Sequence, residues 1–519
     1  MDFPSSLPIK SIGATASEYN RYAEAWQTAA DLYEGGSVLK DKVVRRGQYL
    51  LKKPKEQEEV YATRQLRFSY TNLLGNIIGW YGAALFKTPA QIVKKRDGAE
   101  GDAALKVPAD VETFCAAFEK DADRAGTSYV DFWRKAFESL VLHKAAYVLL
   151  DLPGHDDDAP AARSLADQRA SGELDPFLVL YTPSQVINWE TDRYGNLEWC
   201  IIAVSTEERE AFQNPVTMDY WYYFDREQVA CYSAERNDKR TDDDVANLVD
   251  GYPRRHAMTD LQRIPVRKIE VPEGLWLANR VALPLLNHLN LDNAYDFALF
   301  QSALAQLVIT GNYDDSATLS EVSYLKLNTG DTATYLEPEG RAYEAIDKRL
   351  GSLEERIYKA CYLMDQARSN KATPAAQSGL SKQQDKTPSR DALSGFGDVI
   401  RPAMQLVYAD VLAIRGLAEI LPDVRGFDFQ DKAGVEEMDF MEKSTVLDVQ
   451  SDTYRRERDK KFVRVVLPDM NPETLAKIDG EIEANPTPEG AAALLAEQQQ
   501  ADQLNKFSQS FKGTAGIGA

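Results

Sequence analysis

PLLNHLNLDNAYDFALFQSALAQLV, residues 284–308, and AYEAIDKRLGSLEERIYKACYLMDQAR, residues 342–368, decide how this chain reads. In the first, Leu285, Leu286, Leu289, Ala294, Phe297, Ala298, Phe300, Leu304, Leu307 and Val308 recur at helical spacing behind Pro284, a residue tolerated in a first helical turn. In the second, Ile346, Leu350, Leu353, Ile357, Ala360 or Cys361, and Met364 alternate in steps of four and three, which draws one apolar stripe. At 1.5 Å per residue the two arms would be about 37 and about 40 Å long. Roughly 33 residues containing Gly311, Gly330 and Gly340 join them. Matched arms with a short insert predict an antiparallel hairpin with a small domain at its tip, a pattern that an ordinary helical protein can also carry.

Charge separates the two readings. From Val281 through Leu325 there is no Lys or Arg, while Asp292, Asp296, Asp314, Asp315 and Glu321 are present. Nucleic-acid affinity comes largely from neutralising phosphates with basic side chains. A cation-free window therefore does not grip DNA, but it suits a wall past which DNA slides.

Working outward, 519 residues exceed one compact core, and several folding units are expected. Hydrophobic and charged fractions of 44% and 27% are those of a folded, water-soluble chain. The balance of 60 basic against 81 acidic residues, a net charge of -21, argues against passive wrapping of nucleic acid or docking on anionic lipid. Cys115, Cys200, Cys231 and Cys361 show no CxxC pairing, so neither a zinc site nor a disulfide framework is indicated. The start, MDFPSSLPIKS, lacks the pattern of a signal peptide, and no apolar run is long enough to span a bilayer. No fixed-period repeat is visible.

Residues 18–34 read as a helix closed by Gly35 and Gly36. Residues 40–67 hold nine basic and four acidic side chains, a local net of +5 against the trend of the chain. That is either a solvated helical face or a contact for nucleic acid or an acidic partner. Tyr61–Phe86 reads as continuing helix, with Gly75, Gly79 and Gly82 spaced for close approach of another helix. Ser128 is placed to cap a helix that gives way to a buried strand near 146–150. His155 with Asp156, Asp157 and Asp158 reads as a solvated loop rather than a metal cluster. From Phe177 to Arg267 the pattern turns to strands, FLVLYT, VINWE, LEWCIIAV, YWYYF and VACYS, in an antiparallel sheet with one apolar face. Trp189, Trp199 and Trp221 are its candidate core. Ser369–Pro388 reads as a mobile loop carrying Lys371, Lys382 and Lys386. Ser389 is read as the cap of a helix to about Leu417, kinked at Pro402. The last 84 residues read as polar helices and a Gly-rich end.

Catalytic motifs are missing: there is no Walker-type loop, GxSxG or HExxH. His143 and His288 fall within helices and read as structural. No cofactor is expected, and the chain is not read as an enzyme.

With its elements in order, the chain resembles the portal proteins of tailed bacteriophages over most of residues 20–485. Three patterns carry the likeness: YATRQLRFSYTNLLGNIIGWYGAALFKTP; VLHKAAYVLLDLPG followed by PFLVLYTPSQVINWETDRYGNLEW; and TYRRERDKKFVRVVLPDMNPETLAKIDGEIEA. The resemblance implies an α+β, predominantly helical fold with wing, stem, clip and crown. It implies a homo-oligomeric ring, usually of twelve subunits, at one capsid vertex, through which double-stranded DNA enters and leaves. Implied partners are the major capsid protein, the terminase large subunit, a head-tail adaptor and a scaffold protein. By family order residues 1–280 and 389–435 would be the wing, and 281–308 and 342–368 the stem. Residues 309–341 would be the clip, 369–388 the tunnel loop and 436–519 the crown. The stem would pack through Ile346, Leu350, Leu353, Ile357 and Met364. The window's net -5 over twelve copies would total -60. The competing reading is a cytoplasmic enzyme or helical scaffold that dimerises through the hairpin.

Overall fold

The computed structural model describes residues 3–88, 90–96, 107–153, 174–209, 214–237, 240–241, 243–302, 306–310, 332–336, 341–363, 379–427, 452–466 and 472–484. The chain divides into two compact units, Met1–Asp428 and Phe429–Ala519.

In the first unit a strand β1 (Ser6–Pro8) and a single turn α1 (Ile9–Ile12) precede a helical layer: α2 (Ser17–Glu34), α3 (Gly36–Arg46), α4 (Glu58–Leu66), α5 (Leu73–Leu85), α6 (Ala109–Lys120) and α7 (Tyr129–His143). Gly35 ends α2 with φ 57°, a conformation that glycine adopts without penalty. The expected continuous helix over 61–86 is interrupted. Asn72 accepts a hydrogen bond from the Gly75 N–H at 2.7 Å and starts a new helix, so the cap replaces helical pairing across residues 67–72. Gly75 sits against that cap, Gly79 meets no neighbour, and only Gly82 lies beside another helix, at van der Waals distance from Phe137. Ser128 caps α7 as expected, accepting from the Asp131 N–H at 3.1 Å.

The core forms where α7 meets the long helix α10 (Gly379–Ile414). Tyr129, Phe132, Trp133, Phe137 and Leu140 are buried on α7, and Phe396, Ile400, Met404, Val407, Tyr408 and Val411 on α10. Edge-on ring contacts join Phe137 to Phe396 (5.1 Å between centroids), Tyr129 to Tyr408 (5.5 Å) and Tyr81 to Phe396 (5.8 Å). The Tyr129 hydroxyl, buried by this packing, donates to the Met404 carbonyl at 2.7 Å. The helix α10 begins at Gly379, ten residues before Ser389, the cap expected from sequence, and contains Pro388 as well as Pro402. Ser389 is buried inside it. Each proline removes one internal hydrogen bond, but Leu380–Lys386 is composed mostly of residues that favour a helix, and the aromatic core holds the later turns.

The expected strands appear as β4 (Phe177–Tyr181), β5 (Val186–Thr191), β6 (Leu197–Glu208), β7 (Val216–Phe224) and β8 (Val229–Glu235). They do not form one sheet. β4 joins β3 (Ala145–Asp151) and β10 (Val266–Glu270) in the order β10-β3-β4, while β9 (Val245–Leu248) and β1 extend the others to β1-β9-β8-β7-β6-β5. The larger sheet is apolar on both faces. One face packs Val186, Leu197, Cys200, Ile202 and Phe224 toward the smaller sheet. The other packs Ile187, Ile201, Trp221 and Tyr232 beneath Ile9 and Ile12, because the N-terminal residues fold back over it. Trp221 is buried, and Trp189 and Trp199 are half-buried at the margins. A further pair, β2 (Gln91–Arg96) and β13 (Ile420–Arg425), is antiparallel.

In the second unit α11 (Asp452–Val466) and α12 (Pro472–Ala484) lie together, with Lys460 bridging Glu457 and Glu483 at 3.2 and 2.7 Å.

Replacing Ser128 with Ala should remove a helix cap worth about 1 kcal/mol and lower the urea midpoint of unfolding. An unchanged midpoint would show that the cap contributes nothing.

Candidate functional site

The hairpin is present. Its first arm, α8 (Leu277–Ser302), and its second, α9 (Arg341–Ala360), are 26 and 20 residues long, about 39 and about 30 Å. Both bounds differ from the sequence reading. The first helix starts seven residues earlier, so Pro284 lies inside it, and it gives way to a strand, β11 (Gln306–Thr310). That strand pairs with β12 (Thr332–Leu336), Gln306 opposite Leu336 and Thr310 opposite Thr332. Contacts step in opposite directions along the two arms: Arg280 with Tyr362, His288 with Glu354, Tyr295 with Tyr343, and then the strand pair Gln306 with Leu336. One antiparallel register therefore runs from the root through both helices into the tip strands.

The seam is apolar. Leu350, Leu353 and Ile357 are buried on α9, with Ile346 half-buried, as are Leu285, Leu289 and Phe297 on α8. The root is clamped by polar contacts. The Tyr81 hydroxyl donates to the Cys361 carbonyl at 2.7 Å, and Arg280 donates to the Gly274 carbonyl at 2.9 Å and to the Tyr362 hydroxyl. Tyr362 takes φ 63° beneath the Arg280 guanidinium. The Trp276 indole donates to the Leu142 carbonyl at 2.8 Å and fixes where α8 begins against α7.

A second set of contacts sews α8 to the N-terminal helical layer. Asn290 accepts from the Leu51 N–H at 2.7 Å and donates to the Tyr49 carbonyl at 2.8 Å. Asn293 accepts from the Ser69 N–H at 3.0 Å and donates to the Ser69 carbonyl at 2.9 Å. Three residues on, Asp296 accepts from the Ser69 hydroxyl at 2.9 Å, and one turn further the Arg67 guanidinium lies 3.5 Å from the centre of the Phe300 ring. The sequence reading missed Asn290 and Asn293. Their signal is Asn287, Asn290 and Asn293 at intervals of three, since asparagine favours caps and turns over helix interiors unless its amide is otherwise used.

These two attachments give the acids of α8 neighbours within the subunit. Asp292 is half-buried on the side of α8 that carries His288 and Tyr295, the residues meeting α9, and Asp296 belongs to the stripe that binds Ser69. Asp296 is exposed beside that contact. From Leu283 onward the remaining face of α8 carries Leu283, Asn287, Leu291, Ala294 and Ala298, with Leu283 77% exposed, and is uncharged; Arg280 lies one turn before it. Exposed cations, Lys348, Arg349, Arg356 and Lys359, lie on the adjacent α9. Absence of cations along 281–325 is thus not absence of cations beside it. Burial, then Asp296 and Glu354, push the Asp292 carboxyl above the usual aspartate range, with His288 opposing them.

Asp314, Asp315 and Glu321 lie outside the described residues, as do Lys371, Met364 and the cluster at 155–158. Lys382 and Lys386 fall within the helical span of α10 rather than in a loop, and Pro402 lies in its middle. All four cysteines are buried, and burial raises the Cys115 thiol, carries Cys231 to about 11 and Cys361 to about 12. Burial lowers His143 to about 4, leaving it neutral near pH 7. Among the described residues no group of three or more His, Cys, Asp or Glu is arranged to hold a metal ion, and no helix is long and apolar enough to cross a membrane.

No family model and no curated protein matches this sequence. Among solved structures it is similar to a chain of the virion of a native gene transfer agent particle, at 12% identity and TM-score 0.38 over 83% of this chain and 99% of that one. It is similar to a chain of the neck of an empty gene transfer agent particle computed with C6 symmetry, at 11% and 0.38 over 79% and 95%. A chain of the neck of a native gene transfer agent particle computed with C12 symmetry gives 13% and 0.34 over 84% and 100%. At TM-scores this low the functional reading rests on the residues.

Ile357→Ala should cost about 2–5 kcal/mol by opening a cavity in the seam, read as loss of hairpin protection in hydrogen exchange. Protection equal to the parent would contradict the packing described. Because the Asp292 pKa is raised by folding, the hairpin is favoured below the ordinary aspartate value of about 3.9 and penalised as pH rises through the raised value. Asp292→Asn should therefore raise the melting temperature at pH 7 and leave it unchanged near pH 3. An equal shift at both values would show that the carboxylate charge is not the cause.

Proposed function

We propose that this chain is a non-enzymatic structural subunit of a phage-like particle, a portal protein that closes into a ring at one capsid vertex and passes double-stranded DNA. The observation that supports this most is the single antiparallel register that runs through both helices into a strand pair while the root is clamped to an α+β body. Such a hairpin is a rigid lever whose tip has strand edges to offer and whose base cannot swing.

In this reading Leu277–Ser302 and Arg341–Ala360 are the stem, the tip strands and the residues between them are the clip, and Met1–Asp428 otherwise forms the wing. The second unit is the crown. A ring of identical subunits needs a heterologous contact, one surface meeting a different one, that closes by rotation. The uncharged face of α8, with Ala294 and Ala298 between Leu283 and Leu291, lets a neighbouring helix approach without burying a charge. Asp292, Asp296, Asp314, Asp315 and Glu321 would supply the electronegative lining of the channel. Terminase and a head-tail adaptor would meet the clip, and the major capsid protein and a scaffold protein the wing and crown.

Sedimentation velocity of the purified chain tests this reading. A species of roughly twelve times 58.1 kDa is expected; a mass of one or two chains would favour a dimerising scaffold and contradict the ring.

A further inference from the structure

The loop between α3 and α4 is cationic, rigid and unaccounted for. Residues 40–67 hold nine basic and four acidic side chains. Lys42 pairs with Asp31, Arg45 with Asp41, Lys52 with Glu58 and Arg64 with Glu56. Lys40, Arg46, Lys53 and Lys55 are exposed and make no salt bridge among the described residues, although the Lys53 charge helps to lower the Glu56 pKa. The contrast is residues 254–268, also cation-rich, where Arg255 pairs with Asp260, Arg263 and Arg267 with the buried Asp410, and Lys268 with Glu18 and Glu270. There those cations are bridged inside the subunit, and here only Lys42, Arg45, Lys52 and Arg64 are.

The loop is built to hold its shape. Arg64, 2% exposed, grips both oxygens of Glu56 at 3.0 and 2.8 Å and donates to the Leu51 carbonyl at 2.6 Å. Tyr61 donates to the Leu50 carbonyl at 2.7 Å, Gln65 to the Val43 carbonyl at 2.8 Å, and Asn290 fixes Tyr49 and Leu51. Tyr49 and Lys55 are held at φ 67° and 63°, which side-chain-bearing residues seldom adopt unless the surroundings impose it. The result of this constraint is an exposed Leu51, 72% accessible, at the mouth of a cavity of about 460 Å³ lined by Glu24, Gln27, Gln48 and Leu286. An exposed apolar side chain beside a pocket, on a loop that also carries the exposed Lys53 and Lys55, has the anatomy of a protein-docking surface rather than of a phosphate grip.

We infer that the loop Gly47–Lys55, with Lys40 and Arg46, docks on an acidic surface of a second copy of this chain. Charge complementarity selects that occupant. The whole chain carries -21 and residues 40–67 carry +5, so the rest carries -26. Copies of like net charge repel at long range, contact of this loop with that remainder offsets the repulsion, and such a contact is heterologous, as ring closure requires. This inference rests on the ring proposed above and names one of its contacts.

The test compares the full-length chain with Lys40→Glu/Arg46→Glu/Lys53→Glu/Lys55→Glu and with Leu51→Ser by sedimentation velocity at low and at high salt. The charge-reversed variant is expected to melt like the parent yet sediment as one or two chains. Leu51→Ser is expected to shift assembly to at least tenfold higher protein concentration. A charge-reversed variant that assembles like the parent overturns the docking inference and leaves the ring standing. A parent chain that stays near 58.1 kDa at every salt concentration overturns both. If both proteins form the ring, but only the parent retards a duplex DNA fragment in a gel, the loop's partner is nucleic acid and the inference is wrong.

Discussion

The placement of the hairpin depends on two side-chain amides. Asn290 and Asn293 each present a carbonyl oxygen and an NH2 group to an irregular backbone that has no partner of its own there, and each satisfies one N–H and one C=O of residues 49–51 and 69. These backbone groups are half-buried or exposed, so each loss costs less than the penalty of about 1–3 kcal/mol for a fully buried orphan, but losing either amide would free two of them at once. Through this attachment the connections on either side of α4 and the first hairpin helix are set by one another. The second helix then follows from the seam of Leu350, Leu353 and Ile357, and the strand pair at the tip continues the same register.

Much of this was legible in the sequence because it depends on periodicity. The stripe at 346, 350, 353 and 357 gave the second arm, the alternating runs between 177 and 233 gave the strands, and Ser128 gave a cap that the structure contains. What periodicity does not encode was misread. The start of α8 at Leu277 was hidden because Pro284 resembles a first-turn residue, although an interior proline is held here by neighbours packed on both sides of the helix. The break between α4 and α5 turns on whether Asn72 caps or points outward, a choice made by the Tyr33 carbonyl, which its amide reaches at 2.7 Å. The start of α10 at Gly379 went unseen because a segment of small and polar residues has no apolar stripe to betray a helix.

The acids show what a count along the chain leaves out. A count along the chain treats residues 281–325 as a surface of one sign, yet a helix has several faces and each meets a different neighbour. Asp292 lies on the side of His288 and Tyr295, Asp296 binds Ser69, and Arg67 and the cations of α9 are brought in from elsewhere in the chain. The positive loop at 40–55 follows the converse logic. Its charge was visible in sequence, but only the structure separates cations spent on internal pairs, such as Arg64 with Glu56, from those left facing outward.

If the hairpin is a clamped lever repeated about an axis, then electron micrographs of the purified assembly viewed down that axis test the account most directly. The account requires rotationally symmetric class averages with an open centre bounded by regularly spaced rods, one for each subunit. Solid particles, or two-fold objects with no central opening, would contradict it.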